Sequence, residues 1–155
     1  MSIGEEVAFW SATRQAIAIR EGEFTSRELL ELIIARIERI NPELNAVITL
    51  DLEQARKFAD EADSKLEAGE EVGPLHGVPI TVKDALETVG IRSTGGATEL
   101  HSNLPDRDAP VVQAVKDAGA IVFGKTNLPR WSGDIQSFND MFGTTVNPWN
   151  PDRVP

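Results

Sequence analysis

Apolar residues recur at helical spacing up to Gly73-Pro74, and beyond that point short β-branched runs alternate with glycine and proline. In residues 3–20, Ile3, Val7 and Trp10 form one row with Phe9, Ala12, Ala16 and Ile19 beside it, which predicts a helix ended by Gly22. Thr25-Ser26-Arg27-Glu28 is a capping-box pattern, and the apolar comb Leu29, Leu30, Ile33, Ile34, Ile37, Ile40 follows it. Asn41-Pro42 is the expected stop, because the residue before proline is pushed out of the helical region. A short strand is expected at Ala46 to Leu50. Residues 51–68 read as a third helix with Leu52, Ala55, Phe58, Ala59, Ala62 and Leu66 inward, ended by Gly69.

After Gly73, Val78 to Val82 is the first expected buried strand, with Pro79 marking an edge or a strand start. Residues 85–107 read as loop and include Ser93-Thr94-Gly95-Gly96. Asp108-Ala109-Pro110 opens a helix to Ala118, with proline in the first turn and Gly119 as terminator. Ala120 to Phe123 is a buried strand, and loop with short helix is expected from Lys125 onward. Strand, helix and strand in this order imply an α/β class with a mixed, mostly parallel sheet and covering helices. The expected organisation is a helical segment at 1–72 packing on the first part of an α/β core at 73–155. Only two strong strands follow three helices, so the sheet looks unfinished. That points to a fragment, a processed chain or one piece of a larger molecule.

Composition narrows the chemistry. The 155 residues are 41% hydrophobic and 26% charged, which suits a globular chain with a real core. Fifteen Lys+Arg against 25 Asp+Glu give a formal charge of -10, which opposes non-specific binding to nucleic acid. The acidic stretch Glu53 to Glu71 reads as a solvated helix face. With no cysteine there is no disulfide, thiol nucleophile or thiolate metal site, and His76 and His101 fit no metal-binding spacing. No cofactor or metal is expected. No run of about 18 apolar residues offers a membrane span, and the acidic start Met1–Glu6 does not read as a signal peptide, so the cytoplasm is expected. Gly119 to Thr126 matches the literal phosphate-loop pattern, but its four variable positions, Ala-Ile-Val-Phe, are themselves the expected strand. No nucleotide site is expected there.

Three blocks carry a resemblance. Gly73-Pro-Leu-His-Gly-Val-Pro-Ile-Thr-Val-Lys-Asp84 is similar to the lysine motif of the amidase signature family, and Asp117-Ala-Gly-Ala-Ile-Val-Phe-Gly-Lys-Thr-Asn127 resembles its next block. Asn139-Asp-Met-Phe-Gly-Thr-Thr-Val-Asn-Pro-Trp-Asn150 looks like the segment ahead of that family's glycine–serine motif, and the helical start is similar too. The blocks fall in the family's order and cover nearly the whole chain. The resemblance implies hydrolysis or transfer of carboxylic amides by a Ser–cis-Ser–Lys triad. Lys83 matches the catalytic lysine, while both serines would lie beyond Val154-Pro155. A free lysine titrates near ~10.4, so a lysine base must be desolvated to work. Asp84 adjoins Lys83, and alternation along an extended segment points it the other way, toward a supporting or backbone-capping role. Lys125-Thr126-Asn127 reads as scaffold that anchors a strand end.

The resemblance also implies that Trp131, Gly133, Asp134, Ser137 and Phe138 line the substrate site, with Trp131 and Phe138 as apolar walls. Members of the transfer-RNA amidotransferase branch carry an acidic residue where this chain has Pro129-Arg130-Trp131. The stretch Gln136 to Asp140 looks more like stand-alone bacterial amidases. The expected partners are a small-molecule amide and the remainder of the same polypeptide, with a homo-oligomer left open and neither nucleic acid nor membrane involved. The alternatives are the glutamine-hydrolysing subunit of an amidotransferase complex and a catalytically inert fragment with a structural role.

Overall fold

The computed structural model describes residues 3–155, so Met1 and Ser2 of the acidic start lie outside the described residues. The first helix is shorter than its apolar rows suggest. A 3-10 turn at Glu5–Phe9 comes first, Trp10 is extended, and α1 (Ala12–Glu21) begins afresh at Ser11. The Ser11 hydroxyl accepts the Arg14 N–H at 3.2 Å, and a capping serine of this kind interrupts a helix as readily as it starts one. Gly22 closes α1 in the left-handed region at φ 74°.

Helix α2 (Ser26–Leu44) starts on the expected capping box: Thr25 Oγ1 accepts the Glu28 N–H at 3.0 Å, and Glu28 Oε2 accepts the Thr25 N–H at 2.9 Å. It does not stop at Asn41 but runs through Pro42 to Leu44. Proline in the last turn removes one helix donor, and Asn41 satisfies the chain beyond. Its Oδ1 accepts the N–H groups of Ala46 and Val47, each at 2.8 Å, and its amide donates to Val47 O at 2.8 Å. Strand β1 (Val47–Leu50) and helix α3 (Leu52–Glu67) follow, the latter capped by Asp51. After them come β2 (Pro79–Lys83), α4 (Pro110–Asp117), β3 (Ile121–Thr126), β4 (Phe138–Asn139) and β5 (Gly143–Thr144).

The three-stranded sheet has the order β1-β3-β2. Strands β1 and β3 are antiparallel, with Val47 opposite Thr126 and Leu50 opposite Gly124. Ile121 N–H donates to Val78 O at 2.9 Å and Asp84 N–H to Thr126 O at 3.1 Å. Both bonds advance in the same chain sense, as in a parallel pair, so the sheet is mixed. Among the described residues β2 lies on the edge of the sheet, a position where Pro79 is tolerated. β3 extends past Phe123 into the residues expected as loop, because Gly124 lets β1 approach closely. A Cβ there would meet Thr49 O at 2.8 Å.

The chain forms two compact units. One holds the chain up to Arg36, Asp51–Ile80 and Gln113–Phe123; the other holds Ile37–Leu50, Thr81–Val112 and Gly124–Pro155. In the first, Val7, Ala16, Ala18, Ile19, Phe24, Leu29 and Val78 make an apolar core. Each fully buried large side chain there contributes roughly 1.5–3 kcal/mol. Ala55, Ala59 and Ala62 are the buried stripe of α3, whereas Phe58, expected inward, is 41% exposed because it sits at that stripe's margin. The second unit has a polar interior. Asp84, Thr88, Ser93, Thr94, Lys125, Asn127, Asn139 and Thr145 are buried beside Ile91, Ala97, Val112 and Leu128. Among the described residues no helix is long and apolar enough to cross a membrane.

Candidate functional site

Lys83 is the last residue of β2, and its side chain is exposed. The strand ends there because the Lys83 carbonyl turns to accept the Leu86 N–H at 2.9 Å. The desolvated setting expected for a lysine base is therefore not provided around Lys83 by residues 3–155. Asp84 points the other way and is 1% exposed, as the alternation of an extended strand requires. Its backbone is held on both sides: the N–H donates to Thr126 O at 3.1 Å and the carbonyl accepts the Gly95 N–H at 3.1 Å. Its Oδ2 accepts the Thr94 N–H at 3.1 Å and the Thr94 hydroxyl. Oδ1 is buried with no hydrogen-bond partner among the described residues.

Lys125, in β3, is fully buried at 0% exposure. Its Nζ donates to the Ser93 hydroxyl at 2.7 Å, to Thr88 Oγ1 at 3.1 Å and to the Leu86 carbonyl. The expected scaffold role of Lys125-Thr126-Asn127 has a clear geometry here. Asn127 donates to Thr145 Oγ1 at 3.0 Å and to Gly143 O at 3.1 Å. A literal phosphate-loop reading of Gly119 to Thr126 has no loop to use, since Ile121–Thr126 are strand.

A cavity of about 650 Å³ opens beside this network, with Asp84, Ser93, Gly95, Leu100, Arg107 and Trp131 in its lining. Trp131 and Ser132 both hold left-handed backbone, at φ 53° and 56°. For a bulky residue this is strained, and such strain concentrates at functional positions. Two contacts hold Trp131. Its N–H donates to Gly95 O at 2.8 Å, and its ring lies 3.0 Å from where a Cβ on Gly95 would stand. Next to it Arg130 pairs with Glu99 at 2.6 Å. The Glu99 carboxyl is held below its ordinary value, first by its own backbone N–H and then by Arg130.

Of the five expected lining residues, Trp131 borders this cavity and the other four do not. Gly133 closes a turn on Arg130 O at 3.1 Å. Asp134 Oδ1 accepts the Ile135 N–H at 2.6 Å and, as in an Asx turn, the Gln136 N–H at 3.4 Å. Ser137 O accepts the Thr145 N–H at 2.8 Å, and Phe138 pairs in β4 opposite Thr144. Leu100, at the end of a 3-10 turn at Thr98–Leu100, and Arg107, in loop, also line the cavity, and no periodicity in the sequence marks them. Among the described residues no three His, Asp or Glu side chains converge as a metal site would require.

Comparison with known proteins places the chain. The family model described as Amidase matches residues 28–155. A glutamyl-tRNA(Gln) amidotransferase subunit from Alkalilimnicola ehrlichii is 43% identical over 140 residues, covering 90% of this chain and 29% of that protein. An indoleacetamide hydrolase from Bradyrhizobium diazoefficiens is 41% identical over 143 residues, covering 92% of this chain and 27% of that protein. Among solved structures, native peptide amidase from Stenotrophomonas maltophilia superposes with a TM-score of 0.85 at 33% identity, covering 96% of this chain and 32% of that one. The chain thus spans less than a third of the length of these relatives, and amidotransferase subunits match at similar identity to amide hydrolases.

Proposed function

The chain belongs to the amidase signature family, and we propose that it carries the lysine end of a Ser–cis-Ser–Lys centre for carboxylic amide hydrolysis, with both serines beyond residue 155. In this reading neutral Lys83 accepts, through the bridging serine, the proton of the nucleophilic serine. The serine oxygen bonds to the amide carbon, and the proton returns to the nitrogen as the C–N bond breaks. Water then cleaves the acyl-serine ester, releasing acid and restoring the hydroxyl. The observation that carries the reading is Lys83 itself. It ends β2 with its side chain exposed, while its neighbour Asp84 is buried and held at N–H, carbonyl and carboxylate. An exposed lysine on an anchored backbone is suited to being covered and desolvated by further parts of a longer polypeptide. Trp131 and Ser132 are the residues of the 131–138 segment that line the cavity on the Asp84 side of this strand end, and Lys83 is not in that lining; substrate contact by Trp131 is a separate part of the proposal.

The test compares the 155-residue chain with a polypeptide extended to its relatives' length, on a panel of phenylacetamide, hexanamide and glutamine, reading ammonia release. The extended protein is expected to turn over an amide, and the 155-residue chain is not. Lys83→Ala in the extended protein is expected to abolish turnover, and wild-type-like rates in that variant would refute the mechanism. The identity to amidotransferase subunits supports a second reading, glutamine hydrolysis within a multi-subunit complex. A preference for glutamine over the other two amides, appearing only with partner subunits present, would select it.

A further inference from the structure

We propose that Lys125 is a positioning residue for Lys83, acting through the loop that follows it. The proposal rests on Lys83 being the base. Lysine is almost never fully buried, and an apolar side chain of similar volume would occupy this β3 position at lower desolvation cost. What the ammonium does there is gather oxygens. Leu86 O, Thr88 Oγ1 and Ser93 Oγ all accept from Nζ, and all lie in the loop that begins three residues after Lys83. The Ser93 hydroxyl also donates to Ile91 O at 3.0 Å, and Thr88 Oγ1 to Leu86 O at 3.1 Å. The loop therefore turns its oxygens inward, and Lys125 supplies donors for them.

The loop then delivers Thr94 to Asp84 Oδ2 and the Gly95 N–H to Asp84 O. Asp84 also donates its N–H to Thr126 O, next along β3 from Lys125. The backbone at Lys83–Asp84 is thus fixed from both sides, once by β3 directly and once through the loop that Lys125 ties down. A second buried polar side chain, Asp84, whose Oδ1 has no hydrogen-bond partner among the described residues, is retained in the same arrangement. The burial of these two polar side chains, Asp84 and Lys125, is accounted for by the geometry they impose on Lys83. Proton transfer needs heavy atoms within about 3 Å, and a displacement of ~1 Å can cost about 100-fold in rate.

The experiment uses Lys125→Met in the extended polypeptide, with the amide from the panel that it turns over fastest. Methionine keeps an unbranched apolar stem and removes the donors. Per folded molecule, kcat is expected to fall about 30- to 100-fold with KM within about threefold. Amide hydrogen exchange over residues 86–96 is expected to quicken about tenfold while α1–α3 stay unchanged. A kcat per folded molecule equal to wild type overturns the proposal, and so does exchange that quickens evenly across the chain. If Lys125→Met does not fold, Thr88→Val removes one acceptor isosterically; a kcat loss of about three- to tenfold supports the proposal and an unchanged kcat overturns it. Lys83→Ala separates the two readings. If it keeps wild-type turnover, the base assignment fails. If it is inactive while Lys125→Met is fully active, only the positioning role fails.

Discussion

Asp84 holds Thr94 twice, through the backbone amide at 3.1 Å and through the hydroxyl, both on the same carboxylate oxygen. The Thr94 hydroxyl in turn accepts the Gly96 N–H at 3.1 Å, so one buried carboxylate organises the loop from Thr94 to Gly96. Removing it strands buried donors, and each stranded group costs roughly 1–3 kcal/mol. Asp84→Ala is expected to lower unfolding free energy by about 2–4 kcal/mol, and Thr94→Val by about 1–2 kcal/mol. Urea unfolding checks both, and a loss below about 0.5 kcal/mol for Asp84→Ala would show that the lock contributes little.

Gly77 illustrates a different dependence. It has φ 73°, and a Cβ added to it would stand 2.9 Å from both Cβ and Oγ of Ser26. Ser26 is fully buried and donates to Gly77 O at 2.6 Å, while Asp63 accepts the Ser26 and Arg27 N–H groups at 2.7 and 3.1 Å at the start of α2. Gly77→Ala is expected to cost about 2–4 kcal/mol, combining left-handed strain with overpacking against a capped helix start. Asp63→Ala should cost about 1–2 kcal/mol through the lost caps. The ranking in thermal unfolding is the check; a Gly77→Ala protein as stable as wild type would mean that the turn relaxes freely.

Local signals carried the sequence reading a long way. The capping box at Thr25 to Glu28, the glycine at Gly22, the proline opening α4 and the strand at Ile121 all depend on residues within a few positions of one another. What stayed hidden was set by distant partners. Lys125 is buried because of oxygens at Leu86, Thr88 and Ser93, which no periodicity connects to it. Pro42 is tolerated because the Asn41 side chain serves the residues beyond it. Phe58 is exposed because three alanines already fill the stripe of α3. The Lys83 motif was legible by resemblance, whereas the cavity wall of Leu100, Arg107 and the strained Trp131 emerges only from how the loop closes.

Glu31 sets a pH dependence. The Arg56 guanidinium, donating at 2.8 and 3.0 Å, and then Arg27 at 2.8 Å hold its carboxyl at about 2, down from an ordinary 4.5. The folded state therefore binds this proton less readily than the unfolded state. Its contribution is complete above about 4.5 and fades as pH falls from there toward 2. The side chain is 40% exposed, so solvent screening holds the contribution to the order of 1 kcal/mol. Glu31→Gln is expected to be less stable than wild type at neutral pH, with the gap closing below about 4.5 and shrinking with added salt. A gap that stays constant from pH 7 to pH 3 would rule out the ion pairs as its source.

Trp131 separates stability from substrate contact. Its left-handed backbone costs about 1–3 kcal/mol for a bulky side chain, and the residue is 56% exposed, so packing recovers only part of that cost. Glycine at this position relieves the strain but adds about 0.5–1 kcal/mol of unfolded-chain entropy and gives up the ring's contact with Gly95. Trp131→Gly is therefore expected to change unfolding free energy by no more than about 1 kcal/mol. If the ring forms the apolar wall of the substrate site, KM for phenylacetamide in the extended polypeptide should rise about five- to twentyfold, with kcat changed less than about threefold, as loss of uniform binding requires. Steady-state kinetics beside urea unfolding on the same preparation reads both quantities. An unchanged KM with unchanged stability would remove Trp131 from the substrate site and leave its strained backbone without a functional role.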